Sequence, residues 1–224
     1  YSANNDTILD PFCGSGTTLL EANIRSRNAI GIDLNPIACL ISKVKTTIMD
    51  KEEIRLLAKI INNLTDNILQ TQRDTNYIIN EIEKKDIPVF LNIDHWFEKV
   101  VQYELAYILK YKIKPFISKN TLYDFLRLCF SSIIVKVSNQ DSETRCVAKK
   151  QNIKNSDTLQ YFQKALVDNL ERIKQLELAL ELNNYETFSK VYNTSIIDIT
   201  TQIPSNSVNL IVTSPPYLNS FDYY

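Results

Sequence analysis

The chain changes its hydrophobic pattern twice. Near the N-terminus, short apolar runs alternate with turn residues. Thr7 to Phe12 reads Thr-Ile-Leu-Asp-Pro-Phe, a buried strand broken by a proline, and Ala29 to Leu34 reads Ala-Ile-Gly-Ile-Asp-Leu, a second strand ending on an acid. Between them Thr17 to Arg25 has helical spacing, and Pro36 stands where the first turn of a further helix begins. Strand, helix and strand in that order predict a parallel pair joined by a right-handed crossover, with a ligand site at the strands' carboxyl ends.

From about Lys45 to Ser189 the period lengthens to that of amphipathic helices. Ile54, Leu57, Ala58, Ile61, Leu64 and Ile68 keep one face; Phe97, Val101, Leu105 and Ile108 keep another; Leu122 through Val137 and Leu159 through Leu180 supply two more. Pro88 and Pro115 punctuate the series, and Asp94 is placed to cap a helix that starts at His95. Ser138 to Ser156 lacks periodicity and is predicted to be the longest loop. The strand pattern returns at Val191-Tyr192-Asn193 and at Val208 to Thr213, which runs into Ser214-Pro215-Pro216-Tyr217. Two successive prolines end that strand and hold the following backbone in a narrow range.

Composition adds one clue. At a usage of about 7%, a chain of this length carries roughly 16 glycines, and this one has 3. Gly14, Gly16 and Gly31 all lie in the first strand-helix-strand unit, so close-approach backbone is concentrated there. The 224 residues are 44% hydrophobic, enough for one core or a core with an appended lobe. Charge excludes more than it suggests: at a formal net charge of −1 no global basic field points to nucleic acid, so any such contact must be local. No apolar run approaches the length of a membrane span and no signal pattern opens the chain, which predicts a cytoplasmic protein without a membrane role. Cys13, Cys39, Cys129 and Cys146 form no C-x-x-C pair, so neither a zinc site nor a disulfide framework is expected. Starting at Tyr1 and stopping at Tyr224 within a motif, the sequence reads as a piece of a longer chain.

Three motifs then carry a resemblance. Asp10-Pro-Phe-Cys-Gly-Ser-Gly-Thr-Thr-Leu-Leu-Glu-Ala22, Gly31-Ile-Asp-Leu-Asn-Pro36 and Ser207-Val-Asn-Leu-Ile-Val-Thr-Ser-Pro-Pro-Tyr217 together resemble the S-adenosylmethionine-dependent DNA amino-methyltransferases, which methylate cytosine N4 or adenine N6. The dinucleotide-binding alternative is disfavoured because position 19 is Leu where its fingerprint requires a third glycine. The resemblance implies an α/β fold: a partial Rossmann-like methyltransferase sheet of parallel strands in order 3-2-1-4, with a large all-helical insertion. Residues 1–45 would be the cofactor-binding part, 46–189 the insertion, serving target recognition or as a cap, and 190–224 the return to the methyltransferase domain.

The same resemblance assigns roles. S-adenosylmethionine is the implied cofactor; Asp10 would meet its ammonium, Gly14 and Gly16 would form the loop against it, Asp33 would accept the ribose hydroxyls, and Phe12, Pro36 and Ile37 would wall the adenine. At the catalytic loop, the Ser214 side chain and the Pro215 carbonyl would accept the target amino hydrogens, Pro216 would stiffen the turn, and Tyr217 would stack the base. The substrate implied is double-stranded DNA with its target base flipped out. Arg145, Lys149 and Lys150, in the polar loop, are the expected nucleic-acid contacts, with a solvated loop as the alternative. Phe221, Tyr223 and Tyr224 would line the base pocket or pack in a core. Cys13 reads as a loop filler, because amino-methylation needs no covalent intermediate. Ser at position 214 favours cytosine N4 over adenine N6, within a restriction-modification setting that implies a partner nuclease or further chain. A tRNA guanosine methyltransferase and a cofactor-binding subunit inactive without a partner remain alternatives. The region Asn193 to Asp198 lacks the Gly-Asp pair frequent in the family, leaving Ser195 and Asp198 for the adenine edge. No metal is called for.

Overall fold

All four residues of strand β1, Thr7–Asp10, are buried, as a strand covered on both faces must be. The computed structural model describes residues 1–140, 148–182, 186–199 and 202–214. Around β1 it assembles a four-stranded, wholly parallel sheet in the order β3-β2-β1-β4, with β2 at Asn28–Asp33, β3 at Ser189–Asn193 and β4 at Leu210–Ile211. This is the Rossmann-like order expected. Helix α1, Thr17–Ile24, connects β1 to β2, and α2, Pro36–Lys45, follows β2. Asn35 caps α2 by accepting from the amides of Ile37 and Ala38, and Pro36 occupies the position where a missing N–H costs nothing.

The register explains why this edge of the sheet gathers the expected site residues. Asp10 lies opposite Gly31, and Leu9 opposite Ile211, so β1 and β4 end within one residue of each other, while β2 runs two residues further to Asp33. The chain leaves β1 toward β2 on one side, while β4 pairs on the other, which makes this the switch point where α/β sheets bind ligands. One face of the sheet packs Ile8, Cys13, Leu19, Ala22 and Ala29 together, and another cluster gathers Leu9, Ile30, Ile32 and Ile199.

Two compact units result: Tyr1–Ile48 with Glu171–Tyr224, and Met49–Leu170. The second is helical and contains α3 (Lys51–Arg73), α4 (Tyr77–Glu81), α5 (Ile93–Trp96), α6 (Lys99–Tyr107) and α7 (Asn120–Val137); α8, Asp157–Glu181, begins there and runs into the first. Leu57 and Leu64 of α3, Leu122, Phe125 and Leu126 of α7, and Leu159, Phe162 and Leu166 of α8 are fully buried, as the helical spacing predicts. Asp50 and Glu53 form a capping box at the start of α3, and the second Glu53 oxygen accepts the Leu122 amide at 3.0 Å, tying α3 to α7.

Three local expectations change. Asp94 does not cap a helix: Asn92 precedes α5 in a left-handed conformation, and the Asp94 carboxylate is taken by Lys99 and Gln102. After Tyr107 the helix widens into a π-turn, Ile108–Ile113, ahead of Pro115, whose ring cannot sit under the carbonyl four residues earlier. Strand β4 is shorter than the apolar run Val208 to Thr213, because only Leu210 and Ile211 pair in register with β1, although the Val212 amide still reaches Leu9.

Glu104 ties two helices of the helical unit together. It is buried, and its two oxygens accept the amides of Ser156 and Thr158 at 2.5 and 3.0 Å, capping α8 from another helix. Burial nevertheless outweighs those hydrogen bonds and raises its carboxyl to about 7. Between the ordinary carboxyl value and about 7 the folded state therefore holds a proton that the unfolded chain has released, so stability falls as pH rises through that window. Urea unfolding from pH 5 to 8 is expected to show this slope, and Glu104→Gln to flatten it by up to about one proton. An unaltered slope in the variant would show that Glu104 ionises normally.

Candidate functional site

The loop between β1 and α1 is shaped from three sides. Gly14 and Gly16 both have positive φ, 49° and 76°. At Gly16 a side chain is also excluded by space, since an added Cβ would lie 2.7 to 2.9 Å from Ser42, including its backbone. At Gly14 the reverse holds: an added Cβ would meet nothing within 4 Å, so this side of the loop is open. The Gly14 amide donates to Asp33 Oδ2 at 2.8 Å, and the Asn35 amide donates to Asp33 Oδ1 at 2.8 Å. Each carboxylate oxygen still has a lone pair to offer outward.

Helix α2 supports the loop from beneath. Ser42, fully buried, donates to the Gly14 carbonyl at 2.7 Å, and Lys45 donates to the Ser15 carbonyl at 2.9 Å. Sequence reasoning missed both. Their signal is faint, a small polar residue on the buried face of an amphipathic helix and a lysine in its last turn. Gly31 has a packing role: a Cβ there would come within 2.7 Å of Leu19 and 2.9 Å of Cys13, so its absence lets α1 settle on β2.

The proposed site residues fall as follows. Asp10 is buried at the end of β1, with Oδ1 accepting the Phe12 amide at 3.2 Å. Phe12, Pro36 and Ile37 are exposed beside the same strand ends. Helix α1 starts at Gly16 with no side-chain cap, so its first amides remain available to an anion. Ser214 is exposed three residues beyond β4. These positions share the sheet unit and its carboxyl edge. Ser195 accepts the Ile197 amide at 3.3 Å, and Asp198 is exposed. Lys149 and Lys150 belong to the other unit, where Lys150 meets Glu98 at 3.6 Å. Arg145, Cys146, Pro215, Pro216, Tyr217, Phe221, Tyr223 and Tyr224 lie outside the described residues.

The thiols near the loop are chemically quiet. Burial, above all, pushes the Cys13 thiol up to about 12, and it raises Cys39 as well, with Asp33 adding to the effect. Among the described residues there is no cluster of His, Cys, Asp and Glu suited to a metal ion, and no helix is long and apolar enough to cross a membrane.

Known proteins are similar to this chain in sequence. Residues 1–44, from the first strand through most of α2, match the model of a DNA methylase family. The type II methyltransferase M.MvaI of Kocuria varians is 29% identical over 95% of the chain and 46% of its own length, and M.BsoBI of Geobacillus stearothermophilus is 25% identical over 99% and 45%. M.MjaII of Methanocaldococcus jannaschii is 32% identical over 51% of the chain and 24% of its own length. The chain thus spans about half the length of the first two relatives. No solved structure matches it significantly. With its glycine loop, its acid at the end of β2, its parallel 3-2-1-4 sheet and these relatives, the chain is similar to the N4/N6 amino-methyltransferases.

Proposed function

We propose that the protein transfers a methyl group from S-adenosylmethionine to an exocyclic amino group in DNA, cytosine N4 in preference to adenine N6, as the modifying arm of a restriction-modification system. One observation carries the reading: the open glycine loop and the Asp33 carboxylate stand at the carboxyl edge of the sheet that also receives the chain at Ser214. The relatives are named as type II methyltransferases, which supports DNA as the substrate.

The donor set fits the cofactor. Asp33 has lone pairs left for two ribose hydroxyls; the uncapped start of α1 suits a carboxylate; Asp10 suits an ammonium; Phe12, Pro36 and Ile37 offer apolar surface for an adenine. When bound, S-adenosylmethionine supplies an electrophilic methyl on a sulfonium. The chain's contribution is then positional. An exocyclic amino group is a poor nucleophile because its lone pair is delocalised into the ring. Accepting its hydrogens on Ser214 Oγ and the Pro215 carbonyl pulls the nitrogen toward tetrahedral geometry and localises that pair, while Pro216 restrains the turn and Tyr217 stacks the base. Rate acceleration comes from alignment and fixed acceptors, and no side chain is alkylated on the way. A base inside a duplex cannot reach this geometry and must leave the stack. Lys149 and Lys150, with Arg145, would contact phosphates.

Incubation of the full-length protein with labelled S-adenosylmethionine and DNA or RNA, followed by digestion to nucleosides, should yield N4-methylcytosine from DNA. Label confined to RNA would sink the DNA assignment, and cofactor binding without transfer would mark a module that needs a partner. The two halves of the site should separate in mutants. Asp33→Ala should weaken cofactor binding by more than about tenfold, the scale of charge-assisted hydrogen bonds, and Tyr217→Ala should cut transfer by about a hundredfold with cofactor affinity within about twofold. Normal cofactor affinity in Asp33→Ala would remove Asp33 from the site. With the Cys13 thiol raised to about 12, iodoacetamide at pH 8 should leave native Cys13 and Cys39 unmodified, with transfer intact. Peptide mapping that finds rapid native alkylation at Cys13 would contradict the burial argument.

A further inference from the structure

Two side chains of α2 hold the glycine loop by its backbone, and the donor they leave over has a direction. Ser42 is fully buried, yet its hydroxyl does not bond the carbonyls of its own helix, as those of Thr46 and Thr47 do; it donates to the Gly14 carbonyl at 2.7 Å. That donation uses its one proton, so the Cys13 thiol, 3.9 Å away, is the donor to the Ser42 oxygen. Lys45 takes the next carbonyl, Ser15, at 2.9 Å.

Peptide planarity fixes the rest. In a trans peptide the C=O and the N–H point in opposite directions, so a Gly14 carbonyl bound to Ser42 turns the Ser15 amide away from α2, at an exposed residue. Its neighbours are already committed: the Gly14 amide to Asp33, the Gly16 amide to the Cys13 carbonyl at 2.8 Å, and the Gly16 carbonyl to the Leu20 amide at 3.0 Å. Among the described residues the Ser15 amide has no partner. Gly14 itself does not select this orientation, because a residue without Cβ lets the following peptide turn either way. Ser42 makes the selection, from a position out of reach of solvent.

We propose that Ser42 and Lys45 are positioning residues for the amino-acid end of S-adenosylmethionine: by holding the Gly14 and Ser15 carbonyls against α2, they present the Ser15 amide to the cofactor's carboxylate. The proposal rests on the cofactor reading above. A carboxylate is the part of that molecule that an aligned N–H recognises best, since a charge-assisted hydrogen bond is about twice as strong as a neutral one. Ser15 stands directly ahead of the uncapped start of α1, where the helix dipole also favours negative charge. Lys45 adds an ammonium with N–H donors to spare. The ribose end is served separately, because Asp33 has its own hold on the Gly14 amide at 2.8 Å. Loss of the Ser42 hydroxyl therefore frees the Gly14–Ser15 peptide while Asp33 keeps its contact.

The test uses ligands that differ only at the end concerned. S-adenosylhomocysteine carries the amino-acid end, and methylthioadenosine has the same adenosine and sulfur without it. In calorimetry on the full-length protein, Ser42→Ala should weaken S-adenosylhomocysteine by about tenfold, the scale of a buried acceptor left unsatisfied, and methylthioadenosine by less than about twofold. Lys45→Met should weaken S-adenosylhomocysteine by about fivefold, the upper scale of an exposed ion pair, again with methylthioadenosine within about twofold. Unchanged S-adenosylhomocysteine binding in Ser42→Ala overturns the proposal. Equal losses of both ligands also overturn it, because they mark a hydrogen bond that only stabilises the fold. If Ser42→Ala melts below the assay temperature, Lys45→Met, altered at a solvent-accessible side chain, decides by the same criteria. Methyl transfer is scored apart: a wild type that binds S-adenosylhomocysteine but labels neither DNA nor RNA removes the methyl-transfer reading and leaves Ser42 and Lys45 to be judged on the binding ratios. A wild type that binds methylthioadenosine as tightly as S-adenosylhomocysteine has no amino-acid site, which overturns the proposal alone, and one that binds neither ligand overturns the cofactor reading with it.

Discussion

The Asp33 carboxylate is the contact on which the carboxyl edge of the sheet depends. One oxygen holds the Gly14 amide and the other the Asn35 amide, so a single side chain at the end of β2 fixes both the glycine loop ahead of α1 and the turn into α2. Ser42 and Lys45 then bind the loop's carbonyls from below. The Gly14 and Gly16 amides and the Gly14 and Ser15 carbonyls are thus held before any ligand arrives, while the first amides of α1 stay open. A ligand that meets such a loop spends little of its binding free energy on ordering it, which suits a site whose chemistry requires alignment more than reactive side chains.

Much of this was legible in the sequence because it depends on local pattern. The run Thr7 to Asp10, the glycines at 14 and 16, and the acid at 33 follow from strand length, positive φ and strand ends, all written within a few residues of one another. What escaped depends on residues distant in sequence. Ser42 matters because its helix passes over Gly16, and nothing near position 42 announces that. Asp94 looked like a cap by spacing, but Lys99 and Gln102 compete for its carboxylate and the turn is made by Asn92 instead. Val89 to Leu91 have the composition of core residues, and only the folded chain reveals that they face water.

Helix starts in this chain are treated in two ways. In the sheet unit, α1 begins at a glycine with its first amides unclaimed, and that vacancy suits an anionic ligand. In the helical unit, Asp50 and Glu53 cap α3, Glu53 also holds the start of α7, and Glu104 caps α8 across helices. Buried carboxylates there do structural work at the cost of desolvation, which is why Glu104 titrates high. The open start of α1 marks where a ligand is to be received, and the sealed starts of α3, α7 and α8 mark where rigidity is required.

Glycine usage sharpens the same distinction. Left-handed backbone is not confined to glycine in this chain: Asn5, Ser26, Asn92, Ser156 and Asn206 all have positive φ. Asn tolerates that conformation through its short polar side chain, while Ser accepts a cost of roughly 1 kcal/mol when its surroundings hold it there. Positive φ alone therefore does not explain why glycine survives at so few positions. Gly16 survives because Ser42 leaves no space for a Cβ, and Gly31 because Leu19 and Cys13 leave none. Gly14 meets neither packing constraint, and its open side is where a ligand would lie against the backbone. The scarcity of glycine thus separates three reasons for keeping it, and only Gly14 is kept for a space that the chain itself does not fill.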